Sequence, residues 1–169
     1  KQRYPGLGLT IEHQYQNGYS YKLINADTNT IYQHITAMNA AGQVTGVTYA
    51  NGTTEVAGFD GQTGLPSSHS VSNGSTLHSL GYGYDTNGNL TSRSHAFGSL
   101  SQNANYSEVY GYDELNRLTD RTVSVASQGN LPGSYTMNES YDYDGFGNFT
   151  SKDNTGYYEY DDNKRLTGI

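Results

Sequence analysis

The chain of 169 residues has no cysteine and no tryptophan, only three prolines, and a charged fraction of 15%. Without cysteine there is no disulfide framework and no thiolate metal site, so the redox compartment stays open. Low charge argues against a charged disordered chain, and 21 glycines argue against helix. No apolar run approaches the length of a membrane span, and the opening Lys-Gln-Arg-Tyr-Pro-Gly is not a signal peptide, so no membrane insertion is expected. A net charge of −7 disfavours a phosphate-binding surface, which needs clustered Lys or Arg; nucleic acid is not an expected partner. What the chain does have is tyrosine, 17 of its 21 aromatic residues, in a sequence that is only 33% hydrophobic. A core made from it must use tyrosine rings, and these bury well only when the hydroxyl finds a partner.

The tyrosines recur in register. Residues 82–91 read Tyr-Gly-Tyr-Asp-Thr-Asn-Gly-Asn-Leu-Thr, and 110–119 read Tyr-Gly-Tyr-Asp-Glu-Leu-Asn-Arg-Leu-Thr. Residues 141–150 read Tyr-Asp-Tyr-Asp-Gly-Phe-Gly-Asn-Phe-Thr, and 158–167 read Tyr-Glu-Tyr-Asp-Asp-Asn-Lys-Arg-Leu-Thr. Four ungapped copies make an internal repeat. Each pair, Tyr82 and Tyr84, Tyr110 and Tyr112, Tyr141 and Tyr143, Tyr158 and Tyr160, falls on one side of a strand, since side chains alternate between faces. Asp85, Asp113, Asp144 and Asp161 suit the start of a turn, where a carboxylate accepts from backbone N–H groups two residues on. Three residues later, Gly88 and Gly147 take positive φ freely and Asn116 is the next best residue. Lys164 stands at that position in the last copy, which predicts a more strained or slightly different turn. Leu90, Leu118, Phe149 or Leu166, followed by Thr, opens the returning strand. The unit is a β-hairpin with a Gly- or Asn-bearing loop.

The first third varies this theme. Leu9 to Tyr15 alternates as a half-buried strand does, Asn17-Gly18 is a two-residue hairpin signal, and Tyr19, Tyr21 and Leu23 line the strand that returns. Further turns are expected at Asp27-Thr28-Asn29 and Asn51-Gly52, with strands at Ile31–Thr36 and Thr53–Phe59. Met38 to Thr45 follows the second half of the unit, with Gly42 and Val44 in the glycine and leucine positions. Phe59 to Leu65 is a variant with the glycine one place later. Units counted at 59, 84, 112, 143 and 160 are spaced 25, 28, 31 and 17 residues apart. The polar stretches Ser67–Ser79 and Ser99–Ser107 are the candidate loops behind that irregularity. The expected organisation is one array over 1–169, degenerate over 1–66 and clear over 80–169, read as a piece of a longer chain.

The repeat resembles that of the Rhs or YD-repeat family, Tyr-x-Tyr-Asp-x-x-Gly-Arg/Asn-Leu-Thr. The likeness is clear over Phe59–Thr167 and weaker over Ile31–Leu65. It implies an all-β fold in which stacked antiparallel hairpins form a twisted or spiralling sheet, here a fragment of a larger shell. Family examples are the cocoon subunits of bacterial toxin complexes, polymorphic Rhs toxins and the teneurin barrel. The resemblance further implies a structural, non-enzymatic segment of a secreted or surface-delivered bacterial protein whose shell encloses or displays a toxin. The shells of the family need many more strands than 169 residues supply. Their Asp-Pro-x-Gly autoprotease elements are not visible, because none of the three prolines follows an Asp.

No catalytic, cofactor or metal site is expected. The regular aspartates lack the Asp-x-Asp-x-Asn run and bidentate Glu of an EF-hand, so turn formation is the favoured reading and calcium binding the minor alternative. His13, His34, His69, His78 and His95 lack metal-ligand spacing, and Ser67, Ser68 and Ser70 beside His69 read as loop. Six Asn-x-Ser/Thr sequons, at Asn51, Asn73, Asn89, Asn105, Asn138 and Asn148, matter only in a glycosylating pathway. The expected partners are the rest of a parent chain, or neighbouring copies, through edge strands. The alternative is an adhesion or carbohydrate-binding module with glycan stacked on exposed tyrosines, or a self-assembling surface fibre subunit.

Overall fold

The computed structural model describes residues 1–98, 105–126, 133–153 and 156–168. The described chain is all β, apart from one 3-10 turn at Pro5–Leu7 whose Gly8 takes φ 58°. No helix among these residues is long and apolar enough to cross a membrane. Contacts divide the chain into two compact units, Lys1–Leu80 with Phe97–Ser101, and Gly81–Ala96 with Gln102–Ile169.

The first unit holds β1 (Gln2–Tyr4), β2 (Leu9–Gln16), β3 (Tyr19–Asn25), β4 (Ile31–Met38), β5 (Val44–Tyr49), β6 (Thr54–Phe59), β7 (Pro66–Asn73) and the start of β8 (Ser75–Tyr84). From β1 to β7 each strand pairs antiparallel with the next in sequence. The second unit holds the end of β8, most of β9 (Leu90–Phe97), then β10 (Tyr106–Tyr112), β11 (Leu118–Val125), β12 (Tyr135–Tyr143), β13 (Phe149–Lys152), β14 (Gly156–Tyr157), β15 (Glu159–Tyr160) and β16 (Leu166–Gly168). β9 to β14 again pair with their sequence neighbours, while β15 and β16 form a separate hairpin. This is the meander that short hairpin loops impose, since antiparallel neighbours need only a few connecting residues.

The boundaries of the repeat unit are strand boundaries. β8, β10, β12 and β15 end on Tyr84, Tyr112, Tyr143 and Tyr160, and β9, β11, β13 and β16 begin on Leu90, Leu118, Phe149 and Leu166. Asn17 and Gly18, with φ 51° and 84°, join Gln16 to Tyr19 as a two-residue turn with both central residues left-handed.

Ser67–Ser79 corrects the loop expectation. It forms β7 and the start of β8, hinged at Gly74 with φ 72°, so Ser67, Ser68, His69 and Ser70 are strand residues. The reason is size and pairing. Ser68 faces Gly58, where a Cβ would collide with the serine hydroxyl, and Thr54 Oγ1 and Ser72 Oγ bond across the strands at 2.7 Å. Small hydroxylated side chains fill a pleat that apolar periodicity does not reveal. Of Ser99–Ser107, the first six residues lie outside the described ones, and Tyr106 and Ser107 are in β10.

Buried apolar side chains are few among the described residues: Ile11, Ile24 and Val47 in the first unit and Val123 in the second. All eight repeat tyrosines are half-buried. Half-burying a ring of ~200 Å² contributes about 2 kcal/mol, so the second unit is held by ring burial together with hydrogen bonds.

Candidate functional site

Each repeat turn is built the same way. In the turn opened by Asp85, its N–H bonds the Asn89 carbonyl at 3.0 Å and the Gly88 N–H bonds the Asp85 carbonyl at 3.1 Å. Asp113, Asp144 and Asp161 repeat this pattern with Arg117, Asn148 and Arg165, and with Asn116, Gly147 and Lys164. This is a type I turn closed by a left-handed residue, the three-residue hairpin loop. The left-handed positions are Gly88 at φ 86°, Asn116 at 60°, Gly147 at 88° and Lys164 at 62°. Lys164 therefore makes the same turn, and its difference is the conformational cost of a side chain at positive φ. Its Nζ lies 3.9 Å from the centre of the Phe146 ring, a cation–π contact.

The aspartate carboxylates are used within their own turns. Oδ1 of Asp85 accepts from the N–H groups of Asn87 and Asn89, and Oδ2 accepts from Asn89 Nδ2 at 2.9 Å. Asp144 does the same with Phe146 and Asn148. In Asp113 and Asp161 the side-chain donor is the Nε of Arg117 or Arg165, at 2.7 and 2.9 Å. The Asn/Arg alternation after the turn glycine thus has one meaning: both residues donate to the same oxygen. The side-chain donor Asn89 leads in holding the Asp85 carboxyl below the usual 3.8, as Asn148 does for Asp144. The N–H of Arg117 and of Arg165 leads for Asp113 and Asp161. Asn39 makes the same turn in the first unit with the polarity reversed, its Nδ2 donating to Gln43 Oε1 at 2.7 Å, and Gly42 sits at φ 80°. Asn51-Gly52 is a turn of this class too, closed by Gly52 N–H to the Tyr49 carbonyl at 3.0 Å. Asn25 and Asp60 open a longer form, in which Asn29 and Gly64 bond back to residues 25 and 60.

The two tyrosines of a copy do different work. The second reaches back to the preceding copy: Tyr112 donates to the Leu90 carbonyl at 2.9 Å, Tyr143 to Leu118 at 2.9 Å and Tyr160 to Phe149 at 2.8 Å. Burial pushes the Tyr84 and Tyr112 hydroxyls up from 10. In the second and third copies the first tyrosine bonds a glutamate two residues earlier on the same face. Tyr141 donates to Glu139 Oε2 at 2.7 Å, and burial, then Glu139, pushes it up to about 12. Tyr110 bonds Glu108, and its own shift upward comes from burial, then that charge. Tyr158 instead packs its ring 4.9 Å from Phe149. Arg117 lies over the Tyr143 ring at 4.6 Å.

Those glutamates belong to a charge ladder that reading the ten-residue unit missed. Glu108, whose side chain is fully buried, meets Arg93 Nε and Arg121 Nη2 at 2.5 Å each, and Arg121 Nη1 continues to Glu139 at 3.1 Å. Lys152 completes the row at 3.5 Å from Glu139. Burial alone would raise the Glu108 pKa; the guanidiniums of Arg93 and Arg121 outweigh it and hold it at about 2. Arg121 is correspondingly raised, first by its bond to Glu108. The signal was present two residues beyond each end of the unit. Glu108 and Glu139 precede the first tyrosine by two, and Arg93, Arg121 and Lys152 follow the threonine by two.

Among the described residues no group of three or more His, Asp or Glu side chains could hold a metal ion. The five histidines are dispersed: His34 edges Tyr21, His69 lies 3.7 Å from Glu55, His78 stacks on Phe97 and His95 on Tyr106.

Comparison with known proteins matches no family model and no curated protein. Solved structures do share the fold. The crystal structure of TcdB2-TccC3 without its hypervariable C-terminal region has a TM-score of 0.74 at 18% identity over 95% of this chain. The structure of TcdB2-TccC3-Cdc42 gives 0.71 at 20% identity over 94%. A Photorhabdus luminescens Tc holotoxin pore gives 0.57 at 18% over 85%. This chain spans 9% of the length of each of these three. Three copies of the tyrosine-aspartate unit laid out as successive hairpins of a sheet, and a fourth as a separate hairpin, in a chain that superposes on those toxin-complex structures, give this chain the Rhs/YD-repeat fold.

Proposed function

We propose that this chain is a structural, non-enzymatic segment of a secreted or surface-delivered Rhs/YD-repeat protein, forming part of a β-sheet wall that encloses or displays a toxin. The observation that carries this reading is the series of tyrosine hydroxyls from Tyr112, Tyr143 and Tyr160 to the carbonyls of the copy before. A wall extended by repetition needs a bond that every new copy makes to the last, and these bonds are of that kind. The repeat residues are its parts: Gly88, Asn116 and Gly147 for the turns, the four aspartates for turn hydrogen bonds and the eight tyrosines for packing between hairpins. The 1–169 stretch is read as one array, its partner the rest of a parent chain.

The test is made on the parent protein. Electron microscopy of the full chain should reveal a hollow particle, and a cargo segment inside it should resist protease. Replacing Tyr112, Tyr143 and Tyr160 together by Phe should open the particle to protease at lower denaturant. A particle with no enclosed volume would refute the wall reading.

A carbohydrate-binding module is the second reading, favoured by one feature. A cleft of about 350 Å³ in the first unit is lined by exposed Tyr19 with Tyr21, Asn17 and Met38. A ring face beside amides suits a sugar. Glycan binding lost in Tyr19→Ala would support it, and an array with no binding would remove it.

A further inference from the structure

Asparagine followed by glycine occurs four times, at Asn17-Gly18, Asn51-Gly52, Asn73-Gly74 and Asn87-Gly88. In this dipeptide no side chain on the second residue shields the backbone nitrogen from the asparagine carboxamide. Attack by that nitrogen requires it to give up its proton and the turn to open, so a hydrogen bond on the glycine N–H or on the carboxamide slows the step.

The four sites differ in these restraints. At Asn51 the Gly52 N–H is bonded to the Tyr49 carbonyl at 3.0 Å, and Asn51 Oδ1 accepts from the Thr53 N–H at 3.0 Å. At Asn87 the Gly88 N–H bonds the Asp85 carbonyl at 3.1 Å. There the carboxamide donates to Asn116 Oδ1 at 3.0 Å, and Oδ1 of Asp85 accepts from the backbone N–H of Asn87 at 2.9 Å. Asn73 donates to the Asn51 carbonyl at 3.3 Å. Asn17 is exposed at the tip of the β2–β3 hairpin, and among the described residues its carboxamide has no hydrogen-bond partner. Nothing lies within 4 Å of the Cβ position of Gly18.

We propose that Asn17 is a site of spontaneous covalent modification by deamidation, ahead of the other three. The Gly18 nitrogen forms a bond to Asn17 Cγ and loses its proton to solvent base. The carboxamide nitrogen leaves as ammonia, and a succinimide closes between residues 17 and 18. Water then opens it at either carbonyl to give aspartate or isoaspartate; the net change is one water taken up and one ammonia released. The product puts a negative charge on the rim of the cleft lined by Tyr19, Tyr21 and Met38. Isoaspartate also lengthens the backbone inside a two-residue turn, which the Gln16–Tyr19 pairing does not accommodate.

The test is ageing of the folded chain at mildly alkaline pH and body temperature, with peptide mapping and isoaspartate methylation at each site. The expected result is conversion at Asn17 roughly tenfold or more faster than at Asn51 and Asn87, a factor equal to about 1.4 kcal/mol of restraint. In denaturant the four sites should converge to within about threefold, since only the fold distinguishes them. Conversion of Asn51, Asn73 or Asn87 as fast as Asn17 in the folded chain would overturn the proposal, as would a folded-state rate order that persists unchanged in denaturant.

Discussion

The hydroxyl of Tyr143 donates to the backbone carbonyl of Leu118 at 2.9 Å, 25 residues earlier and one copy back. Tyr112 and Tyr160 stand in the same relation to Leu90 and Phe149. Tyr143→Phe keeps the ring and removes only that bond, so it should cost about 1 kcal/mol, read as a lower urea midpoint at unchanged slope. Tyr158→Phe is the control, because that side chain contributes its ring to Phe149 and its hydroxyl has no hydrogen-bond partner among the described residues. Equal losses from both substitutions would mean that the hydroxyl bond contributes nothing beyond the ring.

Gly147 stands at φ 88°, whereas Gly145 in the same loop has no positive φ and nothing within 4 Å of its Cβ position. Gly147→Val should therefore destabilise the hairpin by more than about 1 kcal/mol, with Gly145→Val close to neutral. Thermal melts of the two variants decide it. A neutral Gly147→Val would contradict the turn geometry.

How far these features could be read beforehand depended on how local their chemistry is. Asp85 to Asn89 closes on itself within five residues, so strand ends at Tyr84 and Leu90 follow from residue types alone. Asn39 shows the limit: it takes the aspartate role through an amide whose polarity is inverted against Gln43, which a search for Tyr-x-Tyr-Asp does not find. β7 reads as loop in the sequence because serine and threonine carry no apolar period, although Ser68 fits against Gly58 and Ser72 against Thr54. The Glu108 ladder crosses strands, and although its members stand two residues outside the repeat unit, which of them meet is set by strand pairing and not by the unit itself.

Gly98 is tied down by backbone rather than by a turn. Its N–H bonds the Leu77 carbonyl at 2.9 Å, and a Cβ there would collide with the Thr76 carbonyl oxygen. A carbonyl in a strand cannot rotate aside as a side chain can. Gly98→Ala should cost about 2 kcal/mol or more by urea titration, while Gly133→Ala, which meets nothing within 4 Å, should not. A tolerated Gly98→Ala would show that the two strands are not this close.

Glu108 makes acid sensitivity calculable. Its carboxyl is held at about 2 in the folded chain against an ordinary 4.5, because Arg93 and Arg121 outweigh the burial that would raise it. Between those values the unfolded chain binds more protons than the folded one, so stability rises with pH across the window. The contribution is complete above about pH 4.5 and is lost as pH falls through about 2; the gap corresponds to on the order of 3 kcal/mol. The turn aspartates act in the same direction from their own lowered values, so wild type alone does not isolate Glu108. Glu108→Gln does: it leaves Arg93 and Arg121 facing a neutral amide, lowers stability at neutral pH, and should converge on wild type as acid titrates the carboxyl. Urea midpoints measured for both proteins between pH 2 and 7 give the difference directly. Two parallel profiles would mean that the buried carboxylate is not ionised, and that the row from Arg93 to Lys152 does not rest on its charge.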